Sequence, residues 1–243
     1  MNIRKSLLQG LPAALMVFSA AISICAQNQG SGKHNARPQQ AAASPTGVGD
    51  AKTETVKYTY EFSQPKFVVN HIVLEHDANG RGTVTFERLN EATPVVEPIE
   101  LSSAALERIQ ASWRALQFLE SETNYQADKQ FPHLGTMRIG MQRGDRKRVA
   151  EFNWTNNSDA STLVTEYRKA ADQAILIFDI SVARENQPLG VPKLMEAIES
   201  MLKRDALSDP RQLVKLLQDL STDEHVPLIA RNHAQRLIKK IQK

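Results

Sequence analysis

The chain has 243 residues, with 30 Lys and Arg against 27 Asp and Glu, for a formal charge of +3 at pH 7. Residues 1–26 hold Arg4, Lys5 and no acid, so the rest of the chain lies even closer to neutrality and has no global field to hold nucleic acid or an anionic membrane. Cys25 is the only cysteine, and without it the chain has no disulfide, thiolate metal site or cysteine nucleophile.

Arg4 and Lys5 precede an apolar run from Leu7 to Cys25, and Ile24-Cys25-Ala26 before Gln27 fits a peptidase site. This predicts a signal peptide over 1–26 and an exported protein, periplasmic or extracellular. Gln9, Gly10 and Pro12 interrupt the run, which argues against a spanning helix. The bulky Ile24 argues against lipidation of Cys25. From 27 to 53 the chain is Gln, Ala, Ser, Gly, Pro and Lys with little apolar surface, the composition of a disordered tether. Gly30-Ser31-Gly32-Lys33 in that stretch lacks the Ser or Thr of a phosphate loop, because His34 follows.

The folded part is expected to begin at about Glu54. Tyr58, Tyr60 and Phe62 alternate with polar residues and predict a strand. Further strands are expected over Lys66–His76 and Thr83–Leu89, joined by the turn-rich Asp77-Ala78-Asn79-Gly80-Arg81-Gly82. Val95–Leu101 carries Pro94 before it and Pro98 within, which confines it to a sheet edge. Ser102 or Ser103 caps a helix whose stripe is Leu106, Ile109, Trp113 and Leu116. Thr136–Gln142 and Arg146–Trp154 read as a hairpin around Arg143-Gly144-Asp145, with Val149 inward and a phase change or bulge at Phe152 and Trp154. A long helix over 161–184 is expected to bury Val164, Tyr167, Ala171, Ile175, Phe178 and Val182. The fold class is therefore α+β: an antiparallel sheet packed with two helices, with the domain spanning 54–186. After the break at 185–190, a three-helix module over 190–243 is expected, with Pro192, Asp209-Pro210 and Val226 near the helix starts.

In the last two helices, Asp209-Pro210, the Ser221-Thr222-Asp223 turn, Ala230-Arg231, Ala234 and Leu237-Ile238 resemble one unit of a HEAT-type repeat. The unit does not recur, whereas a stack needs about three, so an ordinary bundle is the expected form. The order strands, helix, hairpin, helix is similar to that of uncharacterised exported bacterial α+β proteins. That resemblance implies an architecture and no site.

Candidate chemistry is sparse. Asp77, Asn79 and Gly82 fit a calcium loop, but Arg81 and Arg88 occupy ligand places, so a turn explains them better. His71 and His76 are an odd number of residues apart on one strand, which puts them on opposite faces and excludes a shared metal; Glu75, His76 and Asp77 read as solvated residues near a strand end. The irregular segment 120–133 offers Asp128 and His133 as candidate catalytic residues beside Glu120 and Glu122, without a nucleophile motif. Arg143, Arg146, Lys147 and Arg148 crowd one hairpin tip with only Asp145 to offset them, forming a candidate binding surface for an acidic envelope protein or a polyanion. The expectation is a protein with no cofactor and no metal that binds or scaffolds. The alternatives are a hydrolase-type enzyme using the 120–133 loop and a small-ligand sensor with a pocket between sheet and helices.

Overall fold

The structure is a computed structural model that describes residues 55–243. The expected signal peptide and tether, Cys25 and the 30–33 motif lie outside the described residues. Four strands come first: β1 (Val56–Ser63), β2 (Val69–Asp77), β3 (Arg81–Arg88) and β4 (Val95–Glu100). Helix α1 (Ser103–Leu116) follows, then β5 (Thr136–Arg143), β6 (Arg146–Phe152) and the 29-residue α2 (Ser158–Asn186). The last helices are α3 (Val191–Lys203), α4 (Val214–Thr222), which continues a 3-10 turn over Pro210–Leu213, and α5 (Leu228–Ile241). The six strands form one antiparallel sheet in the order β4-β3-β2-β1-β5-β6. Helices α1 and α2 pack on one face, and the three-helix module follows.

Local chemistry sets the element ends. Ser102 and Asn157 cap α1 and α2 by accepting the amides of Ala105 (3.3 Å) and Ala160 (2.9 Å). In the β2–β3 turn, the Asp77 carboxylate accepts the Asn79 and Arg81 amides at 2.8 and 2.9 Å. These backbone donors, Arg81's first, lower the pKa of Asp77. The calcium-like spacing therefore serves a turn. Gly82 is required by contact: a Cβ there would lie 1.8 Å from the Glu75 carbonyl oxygen.

The first core lies between the sheet and the helix pair. Tyr58, Tyr60 and Phe62 of β1 point into it with Leu74, Val84, Phe86 and Ile139, against Ile109 and Trp113 of α1 and Leu163, Tyr167 and Ile175 of α2. A second core gathers Leu176 and Ile180 of α2 with Met195, Ile198, Leu213, Leu217, Ala234 and Leu237. The apolar surface of α2 thus changes partner between Ile175 and Leu176, well before its end at Asn186. Phe178 stays on the sheet side, with its ring 5.4 Å from Phe86. Val182, expected in the buried stripe, is exposed, because Ile180 is the residue that turns into the helical module.

The expected phase of β6 is also corrected. Val149 is 45% exposed and Phe152 is 2% exposed. Pairing of Met137 with Phe152 and Ile139 with Ala150 runs unbroken to Arg143 and Arg146, without a bulge. The large ring at 152 sets the inward set, which places Arg146 and Arg148 on the helix side. His76, read as solvated, is 2% exposed, because it stacks on Tyr58 at 5.0 Å beneath the helices.

The sheet face away from the helices carries a chain of charges. Glu87 on β3, His71 on β2, Glu61 on β1, Arg138 on β5 and Glu151 on β6 contact one another in that order at 3.0, 3.1, 3.1 and 3.3 Å. Acids thus alternate with His71 and Arg138 across five adjacent strands, with opposite charges throughout when His71 is protonated. At the β4 edge, Pro98 has no amide proton, and the Glu100 carbonyl accepts the Gln212 side-chain amide at 2.9 Å.

Candidate functional site

The 120–133 segment leaves α1 through Gln117, whose backbone adopts left-handed angles (φ 44°) to end the helix. Apart from Glu120, it is held by its backbone and amide groups rather than by its acids. Gln126 pairs with Asn153 through two hydrogen bonds (2.9 and 3.2 Å), the Ala127 amide donates to the Trp154 carbonyl, and Gln64 donates to the Pro132 and His133 carbonyls. Asp128 and His133 are both exposed, and no hydrogen bond joins their side chains to each other or to a hydroxyl. Among the described residues no histidine bonds a serine or threonine hydroxyl, and no group of three or more His, Cys, Asp or Glu is placed to hold a metal ion.

The hairpin cations divide. Arg148 donates to the Phe118 and Thr123 carbonyls at 2.6 and 2.7 Å, and its guanidinium lies 4.6 Å from the Phe118 ring centre and 5.4 Å from that of Tyr125. Arg146 donates to the Leu119 carbonyl and to the Glu120 carboxylate, both at 3.0 Å. These two arginines tie the β5–β6 tip to the chain leaving α1. Lys147 stands on the opposite sheet face. Arg143, paired with Val56 across the β1–β5 ladder, remains open to solvent on the helix side.

There Arg143 borders a cleft of about 580 Å³ between the C-terminal turn of α1 and the end of the sheet. Its floor is Trp113, Tyr58, Phe118 and Met141, all buried, and its rim carries Arg114, Gln117 and Arg143, all exposed. Among the described residues neither Arg114 nor Arg143 is in salt-bridge contact with an acid. Burial raises the Tyr58 phenol pKa, while the guanidinium groups of Arg143 and Arg114 oppose that rise.

Below the floor lies a sealed polar network. The Trp113 indole N–H donates to the Tyr167 hydroxyl at 2.9 Å, and that hydroxyl stands 2.8 Å from His76 Nε2. His76 Nδ1 donates to the Asp77 carbonyl at 2.7 Å, so Nε2 is the acceptor and the Tyr167 O–H donates to it. Burial lowers the pKa of His76 and raises that of Tyr167. The network is fully satisfied and closed to solvent, which suits it to rigidifying the floor rather than to proton transfer with a substrate.

At the other end of the sheet, exposed apolar side chains gather in strand order. Leu89 follows β3, Val68 and Phe67 lie between β1 and β2, Leu134 precedes β5 and Trp154 follows β6. The Leu89 amide bonds the Val68 carbonyl at 2.9 Å, and Trp154 packs edge-on against Phe131, in the segment that carries Leu134, at 5.3 Å. Spanning five strands, this rim is roughly 19 Å long. It overlooks a hollow of about 590 Å³ lined by Tyr60, Phe62, Phe67, Ile72 and Arg168.

Among the described residues no helix is long and apolar enough to cross a membrane. Compared with known proteins, the chain matches no family model and no curated sequence.

The sequence announces neither feature. Arg114 follows Trp113 on the helix, and Tyr58 opens the alternation of β1, but nothing local announces that β1, β5 and the end of α1 meet. Phe67, Val68, Leu89, Leu134 and Trp154 are scattered in sequence and become neighbours only through strand order.

Proposed function

We propose that this protein is a non-catalytic binding protein of the cell envelope or the extracellular space, and that it engages an apolar segment of another protein through the rim from Leu89 to Trp154. The carrying observation is the alignment of five exposed large apolar side chains along one sheet end, 45% of the Trp154 surface among them. Patches of this kind on a folded surface characterise interaction sites. The separate, unpaired placement of Asp128 and His133 favours this reading over hydrolysis by the 120–133 loop. The charged and then apolar start of the chain supports an exported setting.

A photo-reactive phenylalanine placed at Phe67 or at Leu134 should yield one and the same protein adduct in the native envelope fraction. The same probe at Thr85, on the helix-free sheet face, should not, and Trp154→Ser should remove the adduct while leaving the melting temperature nearly unchanged. Adducts absent at 67 and 134, or equally abundant at 85, would refute the proposal.

A further inference from the structure

The geometry points to the cleft between Arg114 and Arg143 as a binding site for a small molecule that joins an anionic head, carboxylate or phosphate, to an apolar ring. This site is distinct from the apolar rim and does not depend on it.

Among the described residues no acid pairs with the two arginines at the rim of the cleft. Arg146 and Arg148, on the same hairpin as Arg143, spend their donors on carbonyls and on Glu120. Among the described residues the one acid bordering the cleft, Glu120, is held by Arg146. Arg114 and Arg143 remain, and both act on the hydroxyl of the buried Tyr58. Two guanidinium groups thus border one cleft, and each presents paired N–H donors suited to carboxylate or phosphate oxygens.

The floor supplies the complementary half. The Trp113 indole is fixed through its N–H to Tyr167, so its remaining surface is apolar, and Tyr58 stands 5.6 Å from it. Because Trp113 and Tyr58 are only 2% and 7% exposed, a ring entering the cleft would rest on the small open part of this apolar floor rather than stack on a free aromatic face, while its anionic substituent reaches the rim. The volume, about 580 Å³, is in the range of small-molecule sites, and an aromatic floor with a few polar groups at the rim is their usual composition. Gln110 is already committed, donating to the Ala78 carbonyl at 2.9 Å. Arg114, Arg143 and Gln117 are the groups available for specificity.

The chain has two tryptophans, so Trp154→Phe leaves Trp113 as the only indole and as a reporter in the cleft floor. In this background, phenyl phosphate or benzoate should change the Trp113 emission saturably, with matching heat in calorimetry. The tighter of the two identifies the head group. Arg114→Gln and Arg143→Gln should each weaken binding by about tenfold without lowering the melting temperature, and Lys147→Gln, on the other face, should change nothing. Inorganic phosphate and benzyl alcohol, each lacking one half of the ligand, should bind far more weakly. No saturable response to either aromatic anion, unchanged affinity in both arginine variants, or equal affinity for either half-ligand would overturn the proposal.

Discussion

The side-chain amide of Gln173 on α2 closes a two-point ring with the backbone of Asp209, donating to its carbonyl at 3.1 Å and accepting its amide at 3.0 Å. Gln173 is 3% exposed and also donates to Gln212 at 3.1 Å. This is the polar contact by which the long helix fixes the segment that starts α4. Arg108 adds to it by joining Glu166 and the Ser208 carbonyl, both at 2.7 Å.

Gln173→Leu keeps similar volume but leaves the Asp209 amide without its partner, while the Asp209 carbonyl keeps the Gln212 amide at 3.2 Å. Urea denaturation should show a loss of about 2 kcal/mol, the scale of unsatisfied buried polar groups. A loss near zero would mean that water replaces the amide.

The two strand histidines should act oppositely on stability as pH changes. Burial alone would lower the pKa of His71, but hydrogen bonds and charge from Glu87 and Glu61 outweigh it and raise the value above 6.5. Its stabilisation is therefore full below the unfolded value and is lost as pH rises through the folded one. For His76 burial lowers the pKa, so its contribution is present above about pH 6.5 and is lost as pH falls through the folded value. His71→Gln should accordingly cost more stability at about pH 6 than at about pH 8.5. Equal cost at both would remove the charge contribution of Glu61 and Glu87.

Gly82→Ala places a methyl group 1.8 Å from the Glu75 carbonyl oxygen and 2.7 Å from its carbon. Because these atoms belong to the paired strand, relief requires the β2–β3 ladder to part. A loss of about 3 kcal/mol is expected in thermal or chemical unfolding, at the upper end of overpacking costs. Gly190, with nothing within 4 Å of a built Cβ, should accept alanine with little change.

A chain ending at Asn186 would keep all of α2 yet expose Leu176 and Ile180, which the second core buries. It should bind a hydrophobic dye and unfold less cooperatively than the full chain. The full chain should show one transition by circular dichroism and resist early proteolysis between Asn186 and Val191. Early cleavage there, leaving a stable α+β fragment, would show that the helical module contributes little to α2.

What the sequence disclosed followed from whether the deciding partner was local. The β2–β3 turn was legible because Asp77, Asn79 and Gly80 carry their own turn chemistry, and Pro98 marked an edge strand without any partner. The stripe of α2 is legible as far as Phe178. It misled at Val182 because Leu176 and Ile180 face helices that come later in the chain. In β6 the run Arg146-Lys147-Arg148-Val149 offered one apolar residue early and Phe152 late, and only pairing with Met137 and Ile139 decided the phase. The charge of Arg143 is plain in the sequence, yet its relation to Arg114 and Tyr58 depends on strand pairing and helix placement, which no spacing encodes.

The β4 edge bears on how copies of this molecule meet. Beyond β4 a seventh strand would need a regular row of amide and carbonyl groups. Pro98 offers no donor, and Gln212 already occupies the Glu100 carbonyl. Growth of the sheet by edge-to-edge joining is thus blocked on that side by one ring and one amide. Molecules meeting at the β4 edge have no template there for fibril-like stacking, so contact across that edge falls to side chains rather than backbone.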